Sequence, residues 1–335
     1  VKADATMRLK VLGSLFYLFY YLATGSLLPY LNLYYQSIGL PAPQIGLLAA
    51  LLTLAMLVAA PLWGSLADAR RVHRPLLFGA LLAVLLPAAL LSQAQGLVSL
   101  ALSVLALGVL IAPAMPLADS AVISGLGDER SAYGRLRLWG AVGFAAGAWG
   151  TGEIARVAGL PVIFPIYLLL LLPCAIVGGL LPAPAGTLNA PFWRSMGQLL
   201  RHPGWLRFLL SVTLFGTVLS LVNNYYSLHL RSLGGDEALI GFAVALSAVS
   251  ELPIFALSAW LLRRYTPATL IRVAFAVLLL RSLLYATLQS PWLAVLVQLL
   301  HGPTFALLWT AGVLYASQIA PAGLGTSAQA WFSTA

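Results

Sequence analysis

Residues 45–70 read IGLLAALLTLAMLVAAPLWGSLADAR, and residues 240–265 read IGFAVALSAVSELPIFALSAWLLRRY. The second run lies over the first without a gap, Ile45 and Gly46 over Ile240 and Gly241, Ala50 and Leu51 over Ala245 and Leu246, Leu66 over Leu261. Self-similarity at so long a period marks an internal repeat, so the chain is built as two related halves. Each run also holds an apolar stretch of the length, roughly 20 residues, that crosses about 30 Å of hydrocarbon as a helix.

Outward from this pair, apolar runs of similar length recur at 11–36, 75–92, 97–123, 135–156, 160–181, 204–229, 267–287 and 291–316. An eleventh begins near Ser327 and is cut off by the chain end. The 335 residues are 61% hydrophobic and only 8% charged. So few charges cannot coat a water-soluble globule of this size, which excludes soluble enzymes and nucleic-acid binders. The composition defines an all-α polytopic membrane protein whose outer surface is solvated by the lipid bilayer.

The formal net charge of +9 has a topological cause. With the N-terminus cytoplasmic, every Lys and Arg except Arg156, Arg231 and Arg281 falls on the cytoplasmic side, as the positive-inside rule requires. This places the chain, multi-pass, in the inner (cytoplasmic) membrane. Arg281, Asp119 and Glu251 lie within or at the ends of spans and need a physical explanation, because an intramembrane charge costs about 2.5–3.5 kcal/mol on insertion scales.

Pro182 to Pro203 is rich in Pro and Gly and carries Asn189, Arg194, Gln198, Arg201 and His202, the composition of a linker. It divides the chain into an N-terminal six-helix bundle (1–181), a central cytoplasmic linker (182–203) and a C-terminal bundle (204–335) holding helices 7–10 and the start of helix 11. Two six-span halves joined this way point to a transporter made of parallel repeats. The chain reads as a fragment of a twelve-span protein, truncated within helix 11, with Met7 as the natural start. The first run is too long and aromatic for a cleaved signal peptide and is read as a retained span.

The single cysteine, Cys174, permits no intramolecular disulfide. His73, His202, His229 and His301 share no metal-ligand spacing, and neither a phosphate-cradling loop nor a nucleophile elbow occurs. The reading is therefore no enzyme, no metal and no cofactor. The chemistry is expected from the charges inside spans. The repeat sets Met56 against Glu251, a carboxylate that packing does not require. With Arg281 in span nine and His301 near the middle of span ten, Glu251 forms a set able to bind and release a proton as its cationic neighbours come and go. Asp119 and Arg137, 18 residues apart across a tight cytoplasmic loop, form a second pair suited to hydroxyls, amides or a carboxylate of a substrate, or else to a structural bridge. Gly140, Gly143, Gly147, Gly150 and Gly152 let another helix approach span five closely. Tyr20, Tyr21, Tyr30, Tyr34 and Tyr35 in span one, with Asn223, Asn224, Tyr225 and Tyr226 in span seven, line a cavity or form interfacial belts.

These residues resemble the major facilitator superfamily, most closely its phenylpropionate permease-like and lactose permease-like proton symporter branch. Tyr133-Gly-Arg-Leu-Arg137-Leu-Trp-Gly140-Ala-Val-Gly-Phe144 and Gln298-Leu-Leu-His301-Gly-Pro-Thr304-Phe look like signatures of that branch. The loop after span two, with Gly64, Asp68, Arg70, Arg71 and Arg74, is similar to the superfamily's gating loop, but has Ala69 where Arg is common and Arg71 where Gly is common. The resemblance implies a major facilitator fold of two six-helix bundles, working as a monomer without a cofactor and driven by the proton gradient. It implies substrate contacts for Asp119, Arg137, Phe144 and Glu251, to which the cavity reading adds Asn223 and Asn224. It implies proton coupling for Glu251, Arg281 and His301. Phe144 stands where lactose permease stacks a Trp, and Thr304 where it has a proton-carrying Glu, which shifts the proton-carrier role to Glu251. The expected activity is proton-coupled uptake of a small organic solute (an aromatic acid, nucleoside or sugar). Proton-coupled efflux of drugs or metabolites is the first alternative, although the run from Gly143 to Gly152 lacks the Pro of exporters. A transport-inactive receptor or assembly partner is the second.

Overall fold

The computed structural model describes residues 2–182, 203–319 and 332. The linker expected at 182–203 lies outside them but for its end residues, and so does the eleventh span but for Phe332. Among the described residues the chain is helical and contains no strand. The helices are α1 (Lys2–Ser37), α2 (Ala42–Arg70), α3 (His73–Ala83), α4 (Leu85–Gln93), α5 (Leu97–Ile111), α6 (Ala114–Leu126), α7 (Tyr133–Ala158) and α8 (Ile163–Leu180). After the linker come α9 (Pro203–Ser232), α10 (Glu237–Arg264), α11 (Pro267–Thr287), α12 (Pro291–Val297) and α13 (His301–Ile319).

Nine helical stretches among the described residues are long and apolar enough to cross a membrane. They match the expected spans except the fifth, which forms α7. Its glycines and charges lower its apolarity, yet 26 residues give about 39 Å of helix. Three spans are interrupted, and prolines explain where. Pro87 has no N–H for the Ala83 carbonyl and crowds it, so α3 stops at Ala83. Pro113 likewise deprives Val109 of its helical donor, and the indole Nε1 of Trp63 donates to that carbonyl instead, at 2.8 Å. Pro303 stands just past the third break, where a 3₁₀ turn, Gln298–Leu300, joins α12 to α13.

The repeat extends beyond the sequence match and holds at the level of single hydrogen bonds. Ser37 and Ser232 both end a helix and cap backward, Ser37 Oγ donating to Tyr34 O at 2.8 Å and Ser232 Oγ to His229 O at 2.7 Å. Ile38 and Leu233 donate their N–H to the same two carbonyls. Gly39 and Gly234 follow with φ of 87° and 91°, left-handed values that favour glycine.

The chain forms two compact units, Val1–Leu188 with Asp236–Ala245, and Asn189–Gly235 with Leu246–Ala335. In the first, α1 packs along α7 with backbones in contact, because a Cβ on Gly143 or Gly147 would collide with the carbonyls of Leu18 or Leu22. Gly140 is covered by Tyr21, while Gly150 faces open space. The core of the second unit gathers Trp205, Phe208, Phe215, Leu278, Leu307 and Ala311. Large apolar side chains such as Leu54, Val58 and Leu62 of α2 point outward, the surface expected where lipid is the solvent.

Candidate functional site

Two polar clusters lie among these apolar helices, one in each unit. In the first unit, α6 ends at Leu126, a 3₁₀ turn covers Gly127–Ala132, and α7 starts at Tyr133, so Asp119 and Arg137 come together as expected. Arg137 Nη1 donates to both carboxylate oxygens, at 3.1 Å to Oδ1 and 2.9 Å to Oδ2. The contact is not the two-pronged fork expected for such a pair, because one nitrogen serves both oxygens and Nη2 turns to the Tyr21 hydroxyl at 2.9 Å. Tyr17 donates to Asp119 Oδ1 at 2.7 Å, and Tyr133 OH accepts from Nη1 at 3.0 Å. The guanidinium also lies 5.7 Å from the Tyr17 ring centroid and 5.8 Å from that of Tyr21, within cation–π range. Both charged side chains are half-buried, so the cluster leaves a carboxylate and a guanidinium partly accessible among phenol hydroxyls.

Phe144 lies seven residues beyond Arg137, two turns along one face of α7, and is half-buried. Tyr30 and Tyr34 use their hydroxyls to tie α1 to its neighbours, through Ala148 O at 2.5 Å and Ser92 O at 3.3 Å. Of the residues expected in the loop after span two, Gly64 and Arg70 lie on α2 and Arg74 on α3, because the helix runs on to Arg70; Gly64 faces open space, and Arg70 and Arg71 are exposed. Arg71 adopts φ 54° and ψ 36°, the left-handed cap that glycine would take, with its N–H on Ala67 O. Arg74 Nε donates to the Gly179 carbonyl near the end of α8. The side chain of Asp68 lies outside the described residues.

In the second unit, Glu251, Arg281 and His301 come together in one row. Glu251 Oε1 is 3.2 Å from His301 Nε2, and His301 Nδ1 is 3.0 Å from Arg281 Nη1. A guanidinium only donates, so Nδ1 must accept, and the neutral ring carries its proton on Nε2, facing the carboxylate. Arg281 is completely buried. Its Nη2 donates to Gln298 Oε1 at 2.7 Å, its Nε to Tyr285 OH at 3.4 Å, and its charge lies 5.5 Å from the Tyr285 ring centroid. His301 stacks on Phe305, with ring centroids 5.8 Å apart.

The row is held in register by a break in the helix ladder. Gly302 N–H donates to Ser250 Oγ at 2.9 Å, and the same hydroxyl lies 3.4 Å from Gln298 O, the carbonyl that N–H would otherwise reach. A Cβ on Gly302 would collide with the Ser250 backbone. Glu251 and His301 are thus the chain neighbours of a direct backbone contact.

Thr304 is buried, and its hydroxyl donates to Leu300 O at the end of the 3₁₀ turn that precedes its helix. Asn223 and Asn224 are exposed, and Asn224 Nδ2 is turned back to Ser220 O at 2.9 Å. Sequence reasoning did not assign roles to Tyr17, Tyr133, Tyr285 and Gln298. Each had a signal: Tyr17 precedes Tyr21 by four residues, Tyr133 precedes Arg137 by four, Tyr285 follows Arg281 by four, and Gln298 precedes His301 by three, the spacings that share a helix face.

A helical membrane protein repeated in register, with charge clusters set inside its apolar helices, has the build of a secondary transporter. The model of the MFS_1 like family matches residues 11–335, and the chain belongs to that family, within the major facilitator superfamily of transporters. It is 31% identical over 332 residues to a maltose permease of Geobacillus stearothermophilus, covering 97% of this chain and 83% of that one. It is 30% identical over 310 residues to a probable 3-phenylpropionic acid transporter of Escherichia coli, covering 89% and 80%. Among solved structures, the nucleoside transporter NupG superposes with a TM-score of 0.82 at 18% identity, over 99% of this chain and 86% of that one. The D-xylose-proton symporter gives 0.73 at 14% identity, over 100% and 87%, and both likenesses speak to the fold.

Proposed function

We propose that this transporter carries out proton-coupled uptake of a small organic solute by alternating access. The observation that carries the reading is the Glu251–His301–Arg281 row, in which a carboxylate faces an imidazole N–H rather than a permanent cation. A carboxylate paired directly with an arginine stays ionised, whereas one facing a neutral imidazole retains a proton-exchange role. Asp119 and Arg137, with their tyrosines and Phe144, form the substrate-binding face of the first unit. Proton binding and solute binding are then linked by their different affinities for the two access states.

The named relatives and neighbours carry maltose, 3-phenylpropionic acid, nucleosides and xylose, and the reading for this chain is a solute of that size with hydroxyl or aromatic groups. In this proposal the protein is a monomer in the inner membrane with its N-terminus cytoplasmic, and needs no cofactor besides the proton gradient. The test is uptake in proteoliposomes across a panel of sugars, nucleosides and aromatic acids, with and without an inward proton gradient. Gradient-driven accumulation of one class supports the proposal. Outward flux driven by the gradient instead overturns its direction.

A further inference from the structure

Arg281 is a buried guanidinium whose three nitrogens all meet neutral acceptors, the Tyr285 hydroxyl, His301 Nδ1 and Gln298 Oε1. The carboxylate of Glu251 lies just beyond the His301 ring. A carboxylate offers the guanidinium an opposite charge as well as an acceptor, and can take two of its N–H groups at once, so an unrestrained arginine would close on it. The shortest of the three contacts is the one to Gln298, at 2.7 Å, and Gln298 is itself only 3% exposed. It sits on the 3₁₀ turn pinned by the Ser250 hydroxyl, so its amide has little freedom to follow a moving partner.

We propose that Gln298 is a positioning residue, which holds Nη2 of Arg281, turns Nη1 toward His301, and thereby keeps the guanidinium off Glu251. The carboxylate then remains able to take and release a proton. The relevance to transport rests on the proton-coupled reading, but the clamp itself can be tested without it.

The experiment uses the full-length protein in proteoliposomes and a hydrophobic carbodiimide, which reacts with protonated carboxyl groups, with modification of Glu251 followed by mass spectrometry at about pH 6. An arginine closing on a carboxylate favours its ionised form, so Gln298→Leu is expected to slow labelling about tenfold or more. Gln298→Glu keeps an acceptor on Nη2 and is expected to label at least as fast as the wild type. A mere packing role gives the reverse order, because Leu preserves an apolar filling whereas Glu buries another carboxylate. Should the Leu variant not fold, Gln298→Met offers the same length without the acceptor. Equal labelling in all variants, or slow labelling confined to Gln298→Glu, overturns the clamp. If the variants label as expected but wild-type transport ignores the gradient, the clamp stands and the proton-coupled reading falls.

Discussion

In the first unit Asp119 and Arg137 touch, whereas in the second Glu251 and Arg281 are held apart by the ring of His301. The first arrangement is electrically closed: each charge answers the other, and phenols fill the remaining directions. The second is open, because its carboxylate and its guanidinium meet only through the ring of His301. In the function proposed above, the direct pair serves recognition of a solute. In the same proposal the relayed pair serves coupling to the proton gradient.

The strongest way to break this contrast is to neutralise one acid in each cluster. Glu251→Gln is expected to abolish gradient-driven accumulation while exchange of solute across the membrane persists, measured with radiolabelled substrate in proteoliposomes. Asp119→Asn is expected to weaken substrate affinity about 10- to 100-fold, the loss of a hydrogen bond to a charged group at roughly 1.5–3 kcal/mol, with any residual transport still coupled. Full uphill accumulation by the Glu251 variant would remove the proton role from that residue.

A charge reversal sharpens the same comparison. Asp119→Arg alone is expected to cost about 2 kcal/mol in thermal unfolding, less than the 3–5 of a fully buried pair because this one is half exposed. Combining it with Arg137→Asp should restore stability without restoring transport. Recovery of both would make the pair a structural bridge only. Next in size, Ser250→Ala leaves the Gly302 N–H without its partner, and an expected loss of about 1–2 kcal/mol is readable in denaturation. Its counterpart in the repeat, Ala55, already lacks a hydroxyl, and Ala55→Ser should change little.

The smallest effects come from the turns that follow the repeated helices. Arg71 holds a left-handed cap in the first half, whereas its counterpart Thr266 caps the next helix with its side chain, accepting from Thr269 N–H at 3.2 Å. Arg71→Gly should stabilise by about 0.5–1 kcal/mol and Thr266→Ala should destabilise by about 1 kcal/mol, both measured as shifts in midpoint.

Much of this was legible in the sequence because charge inside an apolar span is costly and therefore conspicuous. Asp119, Glu251, Arg281 and His301 stand out from their surroundings by that cost alone, and the Ile45 and Ile240 runs expose the repeat. What stayed hidden was neutral. Gln298, Tyr285, Tyr17 and Tyr133 carry no comparable penalty, and only their distance along a helix from a charged residue hints that they serve it. Asn223 and Asn224 are two polar residues in an apolar span, and Asn224 turns its Nδ2 to Ser220 O on its own helix, a local bond that sequence does not announce. The interruptions at Val84 and Pro113 were readable from the prolines, but that Trp63 would close the gap left at Val109 depends on how α2 and α5 pack.

The Ser250 hydroxyl, wedged into the ladder at Gly302, has a mechanical consequence. It joins α10 to α13 at the level of Glu251 and His301, so these two helices cannot slide past each other without breaking that hydrogen bond and the close approach at Gly302. Glu251 and His301, the neighbours of Ser250 and Gly302 in the chain, are thereby set beside each other like two teeth cut on one gear. Arg281 rides on α11 and meets α13 and the turn before it through the side chains of His301 and Gln298, so any shift of α11 reaches the row through those two contacts.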